Sequence, residues 1–122
     1  METDRQMEHV EKALRQLGIL RTYRGHQAVI AAVQLALEDE DRLRRVTRGI
    51  YMEAAQRCGY SWSAVERNIR TIARRAWMSN PDYLEQLAGY PLNGPPSASE
   101  LIEMLANDAM RYSEGKQTSG PA

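Results

Sequence analysis

The chain of 122 residues has a single cysteine, Cys58. No internal disulfide can form, and one thiol cannot by itself build a zinc site. A plain buried thiol is its expected role. Only two histidines are present, His9 and His26. Neither forms a close sequence constellation with Cys58 or with paired carboxylates of the kind that nucleophilic or acid–base catalysis requires. Solvent-exposed or cap-forming roles are expected for both. Gly18 and Gly25 lack the pattern and the following lysine of a nucleotide loop. The acids Glu38 to Asp41 lack the alternating oxygen ligands of a calcium loop and read as a helix boundary. No apolar run approaches the roughly 18 residues of a membrane span, and METDRQMEHVEK carries acids where a signal peptide has its apolar core. These absences predict a cytoplasmic protein that is not an enzyme, has no cofactor or metal, and has no membrane partner.

Net charge is also absent: 16 basic side chains balance 16 acidic ones. Their distribution is uneven. Residues 1–41 sum to −3, residues 42–75 to +7 and residues 76–122 to −4. The middle third holds nine arginines against only Glu53 and Glu66. Such a block between acidic flanks can focus a phosphate-attracting potential on one face while the whole stays neutral. With 43% apolar and 26% charged residues, the chain has the composition of one globular domain.

Apolar periodicity predicts helices throughout. Met7, Val10, Ala13, Leu14 and Leu17 form a stripe over Asp4–Leu17, with Gly18 as C-cap. HQAVIAAVQLAL, from Gly25 or His26 to about Leu37, is alanine-rich and predicts a central helix packed on more than one side. Asp39 or Asp41 is a candidate cap for a short helix over 42–48, with Leu43 and Val46 inward and Arg42, Arg44, Arg45 and Arg48 largely outward. Ile50, Tyr51, Ala54 and Ala55 mark the inner face of a helix ending near Cys58, and Gly59 supplies a turn. Ser63 to Glu66 has capping-box spacing and places a helix start near Ser63, buried through Val65, Ile69, Ile72, Ala73 and Ala76. Asn80-Pro81-Asp82 opens a helix closed by Gly89. Ser97 or Ser99 caps a last helix through Met110, again with capping-box spacing from Ser97 to Glu100. The prediction is an all-α bundle of about six helices over residues 1–112, containing a helix-turn-helix, followed by a disordered tail over 113–122.

The two helices flanking Gly59 carry the functional expectation. Small Ala54 and Ala55 permit a close crossing, and anchorage through Val65 and Ile69 leaves Ala64, Arg67, Asn68, Thr71, Arg74 and Arg75 on or near the exposed side. Arginine can pair with guanine O6 and N7, asparagine with adenine, and a threonine methyl with the thymine methyl. Arg74 and Arg75, farther along, suit phosphates, as do Arg45, Arg48 and the hydroxyls of Ser61 and Ser63. The expected partner is double-stranded DNA, read in the major groove by a helix spanning about residues 63–77. Single-strand binding needs exposed aromatic platforms, whereas Trp62 and Trp77 lie near helix ends, where packing explains them. A helical protein–protein adaptor, with its arginines meeting an acidic partner, is the competing reading.

The stretch SWSAVERNIRTIARRAW resembles the signature of the C-terminal DNA-binding domain of the sporulation response regulator Spo0A, with its Ser-Arg-Val-Glu-Arg-x-Ile-Arg-His pattern leading to Ala-Trp. LGILRTYRGHQAVIAAVQLAL, IYMEAAQRCG and GYPLNGPPSASELIEMLANDAMR are similar to further segments of that family in the same order, over roughly Met7 to Arg111. The resemblance implies about six helices, a role in transcription regulation connected with sporulation, and binding to short duplex elements as a homodimer or with two domains pairing side by side on the DNA. By position it implies base-reading roles for Glu66 and Arg67, a further DNA contact for Arg70, and hydroxylated helix-start positions at Ser61 and Ser63. Ala64 replaces an arginine of the pattern and Thr71 a histidine, which predicts an altered target sequence or weaker binding. The family's regulator places a phosphorylatable receiver domain ahead of this one. Here the first expected helix begins within a few residues of Met1, so phosphoryl control within the chain is not expected.

Overall fold

The computed structural model describes residues 2–118, which contain six α-helices and no strand: α1 (Glu2–Gln16), α2 (Arg24–Glu38), α3 (Met52–Cys58), α4 (Trp62–Ser79), α5 (Pro81–Ala88) and α6 (Ala98–Thr118). A 3₁₀ turn (Glu40–Arg44) and a π turn (Thr47–Tyr51) link α2 to α3. The predicted all-α bundle with a helix-turn-helix is therefore what forms. No helix among the described residues is long and apolar enough to cross a membrane.

The alanine-rich segment explains the layout. Ala28, Ala32 and Ala36 are fully buried on α2 beside Val29, Val33 and Leu35. Small side chains let α1, α3, α4 and α6 all approach this one helix. Leu14, Leu17, Ile50, Ile69, Ile72, Leu84, Leu101, Ile102 and Leu105 fill the space between them. Gly18 ends α1 at a positive φ of 79°, with the Ile19 amide donating to the Leu14 carbonyl at 2.9 Å, the reach-back bond of a Schellman cap. At the α4–α5 corner, Asn80 accepts the Tyr83 amide through its side chain at 3.2 Å and donates to the Gln16 carbonyl at 3.0 Å. One residue thus caps α5 and ties that corner to the end of α1.

Several expectations are corrected. The segment 42–48 is not a short α-helix with four outward arginines. Asp39 caps it as proposed, accepting the Asp41 amide at 3.1 Å, but Arg42 turns inward and donates from Nη1 to the Gly49 carbonyl at 2.8 Å. A Cβ at Gly49 would lie 3.2 Å from the Arg42 backbone, so glycine permits the approach. Arg44, Arg45 and Arg48 are exposed, as expected. The two histidines are neither free nor caps. His9 is hydrogen-bonded to Asp108 at 2.7 Å and stacked on Tyr112 with ring centroids 4.2 Å apart, joining α1 to α6. His26 is buried. Cys58 is half-buried, and burial pushes its thiol above the ordinary range against the opposing pull of Arg57. Helix α6 runs to Thr118, past the end predicted at Met110; residues 119–122 of the expected tail lie outside the described residues.

Candidate nucleic-acid interface

Gly59 closes α3 in the left-handed region at φ 76°, with its amide and that of Tyr60 both returning to the Ala55 carbonyl at 2.9 and 3.2 Å. Three residues then separate α3 from α4. The start of α4 differs from the one predicted. Ser61, not Ser63, is the cap, its hydroxyl accepting the Ala64 amide at 3.2 Å, and the helix begins at Trp62. Ser63 sits inside the first turn, its hydroxyl 3.3 Å from that of Ser61. The Ser63–Glu66 box therefore does not form.

The buried stripe of α4 is the predicted one: Val65, Ile69, Ile72, Ala73 and Ala76. Each large aliphatic side chain buried this way contributes about 1.5–3 kcal/mol. Like-charged pairs one turn apart on a helix surface cost only about 0.2–0.5 kcal/mol each. Anchorage wins, and α4 can carry several unneutralised arginines on its other side. At 100° per residue, Arg67 points directly away from the buried stripe, with Ser63, Arg70, Thr71 and Arg74 around it. All five are exposed.

The predicted contact residues fall into distinct settings. Arg67, Arg74 and Arg75 have no carboxylate partner among the described residues. Arg70 is held to Glu66, 3.6 Å away and one turn back. Glu66 is half-buried on the flank toward Tyr51, whose hydroxyl is pushed up to about 12, first by burial and then by the Glu66 charge. Thr71 donates its hydroxyl to the Arg67 carbonyl at 3.0 Å, so its methyl group is what it has left to offer a partner. Asn68 is half-buried beside Gly25, where a Cβ would come within 2.6 Å of the Asn68 carbonyl oxygen. Arg45 and Arg48 are exposed beside a hollow of about 250 Å³ that Asp39, Arg42, Gly49 and Glu53 also line.

Three residues near this face went unnoticed in the sequence or were misjudged. Trp62 is 46% exposed at the first position of α4, not packed away, whereas Trp77 does pack against the core. Tyr23 stacks under the Arg75 guanidinium, 4.7 Å from the ring centroid to Cζ. Arg24 begins α2 on the opposite wall of a cleft beside α4. No periodicity in the sequence could have found these two, because they come beside α4 only where the start of α2 packs against it.

An all-helical domain with a capped, cationic second helix projecting from a helix-turn-helix is the class that this geometry defines. A family model described as "Sporulation initiation factor Spo0A C terminal" matches residues 10–109. The chain belongs to that family. Membership and the all-helical fold support a DNA-binding, regulatory role in general terms.

Proposed function

We propose that this domain binds duplex DNA sequence-specifically and regulates transcription, with α4 lying in the major groove. The supporting observation is the outward face of α4: Arg67, Thr71 and Arg74 are exposed, while the opposite side is locked into the core. An α-helix with its side chains is about 10–12 Å across, a match for the groove width of about 12 Å. Arg67 is the central base reader, a donor pair for guanine. Thr71 presents its methyl group to thymine, and Asn68, at the edge of the face, reads an adjacent base. Arg70 contacts DNA while bridged to Glu66, which sets its direction. Ser61, Ser63, Arg74, Arg75, Arg45 and Arg48 meet phosphates and fix register without reading sequence. Ala64 and Thr71, which depart from the family's pattern, shift the preferred site. Two domains bind side by side on paired elements.

A selection from randomised duplexes followed by salt titration tests this reading. Arg67→Ala is expected to lose about 1–3 kcal/mol on the selected site and to blur discrimination at one base pair. Arg74→Ala is expected to weaken all duplexes alike and to flatten the log–log salt slope by about 0.9. Binding without base preference, or equal and negligible effects of both substitutions, overturns the proposal in favour of a protein-binding adaptor.

A further inference from the structure

Along one flank of α4 runs a cleft of about 500 Å³ lined by Gly18, Tyr23, Thr71, Arg74, Arg75 and Met78, among others. It adjoins a second hollow of about 270 Å³ that shares Tyr23, Thr71 and Arg75 and adds Arg24, Gly25 and Asn68. The two together form a trough between α4 and the Tyr23–Gly25 corner. We infer that this trough seats the sugar-phosphate backbone of one DNA strand, with Arg24 as a phosphate contact outside the helix-turn-helix and Tyr23 as the residue that positions Arg75. The inference rests on the major-groove reading of α4.

Charge decides the occupant. No acidic side chain lines either hollow. Three guanidiniums do, those of Arg24, Arg74 and Arg75, and none has a carboxylate partner among the described residues. The opposite flank of α4 carries Glu66 bridged to Arg70. The hollow beside Arg45 and Arg48 includes Asp39 and Glu53, and the one at the α1–α6 seam includes Glu8. Of these hollows among the described residues, the trough alone has guanidiniums in its lining and no acid, and a polyanion can supply its counter-charge.

Position favours the duplex. Thr71 and Arg74 belong both to the outward face of α4 and to the wall of the cleft. A helix that fills the major groove has a strand backbone along each side, so whatever lines its flank meets phosphates. Stacking on Tyr23 holds the Arg75 guanidinium by its face and leaves the N–H edge free to donate. An arginine fixed before binding loses less side-chain entropy when it pairs with phosphate.

The test compares single variants on the selected duplex and on unrelated duplexes, with thermal melts to confirm folding. Arg24→Ala is expected to weaken every duplex by roughly three- to tenfold and to flatten the salt slope by about 0.9, leaving base preference intact. Tyr23→Ala is expected to reproduce part of the Arg75→Ala loss and to add nothing when combined with it, whereas Tyr23→Phe, which keeps the ring, retains binding. Arg21→Ala serves as control, because Arg21 is 75% exposed and already paired with Glu11 at 2.9 Å. An unchanged salt slope in Arg24→Ala, while Arg67→Ala still blurs one base pair, overturns the trough and spares the reading helix. Equal losses from Tyr23→Phe and Tyr23→Ala overturn the stacking role. Failure of the unaltered protein to bind any duplex removes both proposals.

Discussion

Charged side chains crowd two surfaces of this molecule, the outward face of α4 and the seam where α1 meets α6, and the two dispose of them in opposite ways. At the seam, His9 is bonded to Asp108, Arg111 lies 3.8 Å from the other oxygen of the same carboxylate, and Arg21 holds Glu11 just beyond. His9, Asp108, Arg111, Glu11 and Arg21 there have each found a partner within the chain. On α4 only Arg70 has done so, and Arg67, Arg74 and Arg75 stand without acids among the described residues. Neutralised charge is what a packing interface needs, since an unpaired ion at a helix–helix contact is costly to desolvate. Unneutralised charge on a rigid, well-anchored helix is tolerated because water screens it, and it is available to an external anion.

The comparison can be broken most severely by disturbing what holds α4 in place. Gly25 is a tight point of that support, since a Cβ there would meet Ile72 at 2.5 Å and the Asn68 carbonyl at 2.6 Å. A side chain tip can rotate away, but a backbone oxygen cannot. Gly25→Ala is therefore expected to cost about 1–3 kcal/mol of stability by overpacking, and to weaken duplex binding because α4 must shift. Urea unfolding and a binding titration check both. Unaltered stability would show that α2 and α4 are not in contact at Gly25.

A smaller effect is expected at the seam. Asp108→Ala removes the partner of His9 and a neighbour of Arg111, both groups being part-exposed. The loss should be about 1 kcal/mol in urea unfolding, with duplex affinity and its salt slope unchanged. A change in the salt slope would erase the division of labour between the two surfaces.

Most of what positions the face was legible in residue spacing. The stripe Val65, Ile69, Ile72, Ala73 and Ala76 follows from the helical period alone, and Asn80-Pro81 and Gly89 bracket α5 as their chemistry demands. Spacing failed where two local solutions compete. Ser-x-x-Glu occurs twice, and only Ser97–Glu100 closes reciprocally, with the Ser97 amide donating to the Glu100 carboxylate at 2.8 Å and the Ser97 hydroxyl accepting the Glu100 amide at 3.2 Å. Pro95 and Pro96 stand immediately ahead of that serine and disfavour an earlier helical start. Ahead of Ser63 no such barrier exists, so Ser61 takes the cap and Glu66 turns to Arg70. Spacing also failed for contacts between distant segments. Arg42 reaching the Gly49 carbonyl and Tyr23 lying under Arg75 depend on how a turn is wound and where α2 lands. The base-reading assignments on α4 rest on which side faces out, and that much was carried by periodicity.

His26 sharpens the comparison at its finest scale, because it is a titratable group that the fold buries without giving it a bonded acid. Desolvation lowers its pKa from the ordinary 6.5, and the nearby Arg21 charge adds to this while Glu11 opposes it. The folded state therefore holds His26 neutral over a range in which the unfolded chain takes up a proton. Between the depressed folded value and about 6.5 the unfolded state binds more protons, so stability falls as pH drops through that window. Above about 6.5 both states are neutral and the term vanishes. Urea midpoints measured from about pH 7.5 to about pH 5.5 should decline in the unaltered protein more steeply than in His26→Gln, which has no proton to gain. Identical slopes would mean that the imidazole accepts its proton inside the folded domain as readily as outside it. The effect should be the smallest of those described, since Glu11 already offsets part of the burial.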